Sequence, residues 1–312
     1  MILFNRNRIR IVFSHDYYHG LDGEFTHNYI DGMRFKKIRD KLVAQRIIRR
    51  KHILKPLMVR YEDMELVHTK QYLKRIQNPL NVANYLRLAY AYPWDSSILE
   101  FFRIVTGGTL LATEHALKYK TAVFNLGGGF HHAQTDKAAG FCLINDVAIA
   151  IQKYRQEKMI FKPMIIDLDY HQGDGNLMIF RDDPAVSTFS LNASHWITVN
   201  KKNNLEIYLP EHCEGSTYLD ILRNNFPTFL SSLEPDIIYY IAGSDPYIHD
   251  SVGDLHLSRK EMLQRNLFVL NTVQKRKIPL VIVAGGGYGA KSWQIYYDFI
   301  RASIDKRYSE SI

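Results

Sequence analysis

Three ionisable side chains spaced two residues apart, Asp167, Asp169 and His171, carry the clearest chemical signature in this sequence. They continue the apolar run 164–166, which has the composition of a buried β-strand. Because side chains alternate along a strand, all three leave on one face. Ionisable groups on a buried strand are unfavourable unless a cation or partners hold them, and Asp with neutral His is a ligand set that suits zinc. A hydrogen-bonded Asp/His cluster without metal is the alternative interpretation.

Polar and glycine-rich segments also follow three other apolar runs that predict strands. Segment 127–132 ends in His131 and His132, segment 243–245 in Asp245, and segment 285–288 in Tyr288. Strand-like and helix-like runs alternate along the chain, which predicts an α/β fold with a mostly parallel sheet covered by helices on both faces. The carboxyl ends of parallel strands meet at one edge and form the ligand crevice. The four segments therefore predict one site.

These segments contain the parts of a metal-assisted hydrolase. A catalytic zinc takes three protein ligands and keeps one position open, and Asp245 is the best third ligand after Asp169 and His171. Asp245 could equally cap a turn. An attacking water needs a base and a leaving amine needs an acid, and the tandem histidines His131 and His132 are the candidates.

Carboxylates orient histidines that transfer protons, and Asp167 and Asp174 flank the metal pair as natural partners for them. Asp174 could instead form a turn with Gly175. The phenol of Tyr288 could donate to the oxygen that becomes negative in a tetrahedral intermediate, or pack in the core. The glycine segments have neither the Lys-Ser/Thr of a phosphate-binding loop nor the spacing of a dinucleotide site.

Hydrophobic periodicity divides most of the chain into predicted strands and helices. Strands are predicted at residues 9–13, 121–126, 163–168, 185–191, 237–241 and 280–283. Helices are predicted at residues 33–48, 61–76, 97–119, 146–157, 218–230, 259–275 and 292–304. Ser97 and Glu100 have the spacing of a capping box. No repeat or linker divides the chain, so we expect one domain over 1–312.

Composition and charge limit the partners and the cellular location that the protein can have. Residues 1–60 hold 14 basic and 5 acidic side chains, whereas the rest of the chain is nearly neutral. No nucleic-acid motif accompanies this charge, so we interpret it as a solvated surface and expect no specific nucleic-acid binding. The two cysteines, Cys142 and Cys213, argue against a disulfide framework, and no apolar stretch is long enough for a membrane span. Arg6, Arg8 and Arg10 interrupt any signal peptide, so the expected location is cytoplasmic.

Five motifs together make the sequence similar to the histone deacetylase superfamily, and most similar to its class IV branch and bacterial relatives. They occur in family order over about residues 107–290: GGGFHHA at 127–133, GFCLIND at 140–146, DLDYHQGDG at 167–175, AGSDP at 242–246 and GGGY at 285–288. Gln172 and the segments 68–73 and 106–109 add the resemblance to class IV. The family fold is a single α/β domain with a central parallel sheet, related to arginase.

The resemblance implies a role for each matching residue. Zinc would be held by Asp169, His171 and Asp245, and His131 and His132 would be the acid–base pair. Asp167 and Asp174 would orient the histidines, and Tyr288 would polarise the acyl carbonyl. The substrate channel would be lined by Gly129, Phe141, Cys142 and Gly286. A structural potassium ion would lie at Asp167, Ser190 and Leu191. An interpretation of Cys142 as a small buried hydrophobic residue is nearly as good as its role in the channel.

Two departures from the family pattern bear on the substrate. The segment 191–196 has no clear counterpart of the second channel aromatic of class I relatives, a place that Trp196 or His195 could take. The acidic loop residue that grips the peptide backbone in several relatives has Asp95 as its candidate. The reaction is therefore better specified than the substrate.

Three functions compete for this set of residues. The first is zinc-dependent hydrolysis of the amide of an acylated lysine, whose acyl group could be acetyl or a long fatty chain. The substrate of the same reaction could instead be an acylated small amine such as an acetylpolyamine. A ureohydrolase-like two-metal enzyme needs further metal carboxylates, and the order Asp-x-Asp-x-His followed by Gln172 argues against it. The third is a catalytically inactive binding module. This function is disfavoured because every candidate catalytic position holds a residue that can do the chemistry. The expected partner is thus an acylated protein or small amine, and no feature of the sequence sets an oligomeric state.

Overall fold

The sheet at the centre of the molecule contains every strand that the sequence predicts. In the computed structural model, which describes residues 9–18, 31–86, 95–305 and 308, the strands are β1 (Arg10–Val12), β2 (Ile53–Leu54), β3 (Ala122–Asn125), β4 (Pro163–Asp167), β5 (Ser187–Asn192), β6 (Asn204–Tyr208), β7 (Ile237–Ile241) and β8 (Leu280–Val283). All pair in parallel, in the order β2-β1-β3-β8-β7-β4-β5-β6. Strands β3, β4, β7 and β8 are buried at every position, so both faces of the sheet are covered.

Helices form the two covering layers. Within the described residues the α-helices are α1 (Arg34–Ala44), α2 (Tyr61–Met64), α3 (Lys70–Arg75), α4 (Pro79–Tyr85), α5 (Ser97–Tyr119), α6 (Asp146–Gln156), α7 (Asp174–Ile179), α8 (Gly215–Leu233), α9 (Arg259–Lys275) and α10 (Ser292–Ile304). Helix α1 packs against α10, α5 against α6, and α8 against α9. None of these helices is long and apolar enough to cross a membrane. The predicted α/β fold class is confirmed, whereas a single domain over 1–312 stays a prediction.

The helix predicted at residues 61–76 is wrong in its middle, where the chain instead turns between α2 and α3. The backbone of Thr69 is extended and its hydroxyl accepts a hydrogen bond from Tyr72 N at 3.2 Å, so a new helix begins there. Pro79 begins a further helix, α4, with Asn78 as its N-cap, because proline is compatible with the first helical position. Capping residues therefore decide this region more than periodicity does.

Helix α5 begins where the sequence predicts, but its first turn is not the predicted capping box. Ser97 lies inside the helix, and its backbone N–H donates to Asp95 Oδ1 at 2.8 Å. The hydroxyl of Ser96 donates to Glu100 Oε1 at 2.8 Å. Asp95, the candidate for binding a peptide backbone, is thus engaged at the start of a helix.

The basic residues of the N-terminal region are only partly within the described chain. Arg6 and Arg8 lie outside the described residues, whereas Arg49, Arg50 and Lys51 are exposed beside the short edge strand β2. Their exposure agrees with a solvated basic surface, and the absence of specific nucleic-acid binding stays a prediction.

Candidate active site

Asp169, His171 and Asp245 come together just beyond the carboxyl ends of β4 and β7. His171 Nδ1 lies 3.3 Å from Asp169 Oδ1 and 3.2 Å from Asp245 Oδ2, and one ligand atom of each residue lies within 4.8 Å of the others. Both aspartates are fully buried. Burial and the charge of Asp169 raise the pKa of Asp245 to about 7. Two buried carboxylates beside one imidazole are the oxygen and nitrogen donors that zinc binds, and a cation would relieve their repulsion.

A buried arginine beneath this cluster fixes the two strand ends that carry it. Arg265 on α9 is inaccessible to solvent, and its guanidinium donates to Leu168 O at 2.9 Å and to Gly243 O at 2.8 Å. These carbonyls lie one residue before Asp169 and two residues before Asp245. The sequence analysis did not identify Arg265, because an arginine within an amphipathic helix normally reads as a surface residue.

His131 and His132 follow the first glycine segment, and each has a carboxylate at Nδ1. His131 Nδ1 lies 2.8 Å from Asp167 Oδ2, and His132 Nδ1 lies 2.6 Å from Asp174 Oδ1. The two ring centroids are 4.0 Å apart, and His131 Nε2 is 3.7 Å from Asp169 Oδ1. The structure therefore brings together both predicted His–Asp pairs at the metal-ligand cluster. With Nδ1 engaged, Nε2 is the nitrogen that remains for proton transfer.

The pKa values of the two adjacent histidines shift in opposite directions. Burial lowers the pKa of His131, but the charges of Asp167 and Asp169 outweigh it and raise that pKa to about 9. Burial and the positive charge of His131 lower the pKa of His132 to about 4, and Asp174 offsets this only in part. A neutral imidazole accepts a proton, whereas an imidazolium stabilises nearby negative charge. His132 is thus the better base of the pair.

Two side chains that the sequence analysis did not assign hold this segment in place. Buried Asp146, at the start of α6, accepts from Gly129 N at 3.1 Å and from Phe130 N at 2.8 Å. Gln134 Nε2 donates to Asp174 Oδ2 at 3.1 Å. The motif at 140–146 contains Asp146, so its signal was visible, whereas Gln134 has no local pattern that distinguishes it.

Tyr288 lies beside the ligand cluster after β8. Its ring centroid is 6.3 Å from that of His171 and 6.1 Å from that of Phe141. Burial, reinforced by the charges of Asp245 and Asp169, raises the pKa of Tyr288 well above its usual range. The phenol therefore stays protonated and is available to donate to an oxygen at the site.

The ring of Trp196 lies against the rings of His171 and His132. Its ring is 54% exposed, stacks on His171 with centroids 6.0 Å apart, and lies 5.1 Å from the ring of His132. His195 instead contacts Tyr208, with ring centroids 4.7 Å apart. Of these two candidates for the second channel aromatic, Trp196 is therefore the one at the ligand cluster, and its role in a substrate channel stays a prediction.

Gln172 connects the metal-ligand segment to the loop that carries Trp196. Its Oε1 accepts from Trp196 N at 2.8 Å and Ile197 N at 3.0 Å, while its Nε2 donates to Ile197 O at 2.7 Å and Glu206 Oε1 at 2.9 Å. The side chain is fully buried and its polar atoms are engaged. It is therefore not available as a metal ligand, which argues further against a two-metal site.

A cavity of about 50 Å³ lies between the two glycine segments, and its walls include the predicted channel residues Gly129, Phe141, Cys142 and Gly286. Arg34 also lines it, and its guanidinium donates to Gly285 O and Gly287 O, both at 2.9 Å. The sequence analysis counted Arg34 only within the basic N-terminal region. The structure instead shows a buried arginine that supports the loop before Tyr288.

The three residues of the expected potassium site lie together on neighbouring strands. Asp167 on β4 is paired in register with Ser190 on β5, and Leu191 is the next residue. Asn192 Nδ2 donates to Ser190 Oγ at 2.6 Å. The arrangement brings the predicted residues into one place behind His131.

Comparisons with known proteins identify the family of this chain. A sequence profile of the histone deacetylase domain matches residues 29–300. Histone deacetylase 2 of Arabidopsis thaliana is 28% identical over 94% of this chain and 78% of its own length, and the acetoin utilization protein AcuC of Staphylococcus aureus is 25% identical over 84% and 72%. An uncharacterized protein of Picosynechococcus sp. is 32% identical over 85% and 88%.

A solved structure gives independent support for the fold. The crystal structure of a histone deacetylase homologue complexed with SAHA superposes with a TM-score of 0.74 at 22% identity, covering 97% of this chain and 88% of that one. The profile covers most of the chain and includes every residue of the site described above. The chain belongs to the histone deacetylase family.

Proposed function

We propose that the protein hydrolyses the amide bond of N-acylated lysine with one zinc ion held by Asp169, His171 and Asp245. The observation that carries this proposal is the convergence, at one edge of the sheet, of the ligand cluster, the two His–Asp pairs and the Tyr288 phenol. Membership of a deacetylase family supports hydrolysis of an acyl amide. Zinc as the metal and lysine as the amine are the specific parts of the proposal.

Each site residue has a distinct part in the proposed reaction. A zinc ion at the cluster would polarise the amide carbonyl and lower the pKa of a water. His132, neutral and oriented by Asp174, accepts the proton of the attacking water and later passes it to the leaving amine. His131, positively charged beside Asp167, stabilises the negative charge that develops. Tyr288 donates a hydrogen bond to the former carbonyl oxygen as it becomes negative.

The shape of the site supports a narrow linear substrate with a short acyl group. Phe141 and Trp196 provide flat apolar surfaces at the entrance, which suit the methylene stem of lysine. The cavity beyond, about 50 Å³, has room for roughly one or two water-sized groups. A fatty acyl chain would require its walls to move. If the walls move, each methylene buried in the cavity would contribute about 0.8 kcal/mol to the binding free energy of the acyl chain.

The decisive measurement is kcat/KM on one zinc-loaded preparation, with acetyl-, butyryl-, octanoyl- and myristoyl-lysine peptides of one sequence and with acetylpolyamines. We expect the highest values for short acyl-lysines, and we expect His132→Ala to keep its zinc while kcat falls by roughly 10²-fold or more. Rising kcat/KM toward myristoyl would show that the tunnel opens for fatty chains. Activity on acetylpolyamines without activity on any acyl-lysine peptide would show that the substrate is an acylated small amine and not acyl-lysine.

Two subsidiary proposals concern ions and location. A structural potassium ion near Asp167, Ser190 and Leu191 is supported by their proximity, and flame photometry of extensively desalted protein tests it. A cytoplasmic location is supported by Cys142 and Cys213, which are buried and unpaired.

A further inference from the structure

The loop that carries Tyr288 is held by a carboxylate from the neighbouring loop that follows β7. Asp250 Oδ2 accepts from Tyr288 N at 2.8 Å and from Gly289 N at 3.2 Å. Its Oδ1 accepts from Val252 N at 3.0 Å and from Gly253 N at 3.3 Å. One side chain thus ties together two loops that meet only in the folded protein. The loop that contains Asp250 also begins with a metal ligand, five residues earlier in the chain.

The residues before Tyr288 are held by other side chains. Gly286 N donates to Asp169 Oδ2 at 2.7 Å, and Arg34 binds Gly287 O at 2.9 Å. From position 288 onward, Asp250 is the described side chain that accepts from the backbone N–H groups of Tyr288 and its successor. Gly287 has φ +140°, a conformation that only glycine adopts freely, so the backbone at this point has little intrinsic stiffness.

We propose that Asp250 is a positioning residue, whose carboxylate sets the place of the Tyr288 phenol relative to the metal ligands. The inference rests on the proposed function, in which Tyr288 donates to the reacting oxygen. Without the carboxylate, the N–H groups of Tyr288 and Gly289 lose their acceptor, and the backbone beside Gly287 becomes free to shift. A displacement of about 1 Å at a catalytic group can lower turnover by roughly 10²-fold. Asp250 therefore affects turnover through Tyr288 and not through substrate binding.

A double-mutant cycle isolates this effect from general destabilisation. We would measure kcat, KM, zinc content and Tm for Asp250→Ala, Tyr288→Phe and the double variant, on the best acyl-lysine peptide. The matched control is Asp236→Ala. Asp236 also binds two consecutive backbone N–H groups, those of Phe161 and Lys162, but at the opposite end of the sheet.

The expected result is a fall in kcat of about tenfold or more for Asp250→Ala, with KM and zinc content within about twofold of wild type. In the Tyr288→Phe background the same change should alter kcat by less than about twofold, because the phenol is already absent. Asp236→Ala should lower Tm without changing kcat.

Three results would overturn the assignment of Asp250: an unchanged kcat, losses that multiply in the double variant, or loss of zinc. If Asp250→Ala does not fold, Asp250→Leu, which also lacks an acceptor oxygen, replaces it in the cycle, with the same criteria. An inactive wild-type enzyme would instead refute the proposed function, so the two failures are distinguishable.

Discussion

Acidification should destabilise this protein through one buried histidine remote from the metal ligands. His68 is 2% exposed, and its Nε2 accepts a hydrogen bond from Asn145 N at 3.0 Å. Asn145 is the N-cap of α6, and its side chain also donates to Ala133 O at 3.1 Å, next to His132. A protonated imidazole has no lone pair at Nε2 and cannot accept this hydrogen bond. Protonation of His68 therefore loosens the start of a helix that supports the site.

The size of the effect follows from the change in proton affinity on folding. Burial lowers the pKa of His68 from its ordinary value of 6.5 to about 4. Because the pKa of His68 in the folded protein lies below its pKa in the unfolded chain, keeping this imidazole neutral contributes to the free energy of unfolding. This contribution is fully present above pH 6.5, decreases as the pH falls from 6.5 to 4, and is lost below pH 4. The interval corresponds to about 3 kcal/mol of the free energy of unfolding, a large share of the total for a typical domain.

Urea unfolding at several pH values between 7.5 and 4 measures this directly. The comparison is with His68→Gln, whose amide oxygen offers an acceptor and does not titrate. Carboxylates titrate equally in both proteins, so their contribution cancels in the difference. We expect wild type to lose about 3 kcal/mol more than the variant over this range. Parallel stability curves for the two proteins would refute the role of His68.

Two further predictions concern the metal cluster and the entrance. Gly286→Ala should weaken zinc affinity, because a Cβ there would lie 2.3 Å from Asp245 Oδ2, and unchanged affinity in a competition titration would contradict this. Trp196→Ala should raise KM roughly tenfold with little change in kcat, since a contact worth about 1.4 kcal/mol with the lysine stem is lost in both ground and transition states. Unchanged KM would place the substrate stem elsewhere.

The sequence predicted the site more completely than its supports. Asp169, His171, Asp245 and the tandem histidines were identifiable, because parallel strands bring their carboxyl ends to one edge and those residue types are costly there without a function. Arg265 and Asp250 were not identifiable. Each acts on backbone groups of segments distant in sequence, and such contacts leave no local pattern.

The fold was predictable to a similar degree. The apolar central strands stand out by composition, whereas the edge strands β2 and β6 have no fully buried residue and have short or mixed sequences. Thr69 ends the predicted continuity of 61–76 because its hydroxyl caps a new helix. The position of Trp196 depended on Gln172, a buried side chain whose partners lie more than 20 residues away.

The strand order has a consequence for how the chain matures. Strand β8 lies between β3 and β7, yet among the described strands it is the last in sequence. While the ribosome is still synthesising residues before 280, β3 and β7 each have an open edge with unpaired backbone groups, which invites association with other chains. Gly286 and Tyr288 are also absent at that stage. A nascent chain therefore contains Asp169, His171 and Asp245 well before it contains β8, the central strand that completes the edge at which these three residues meet.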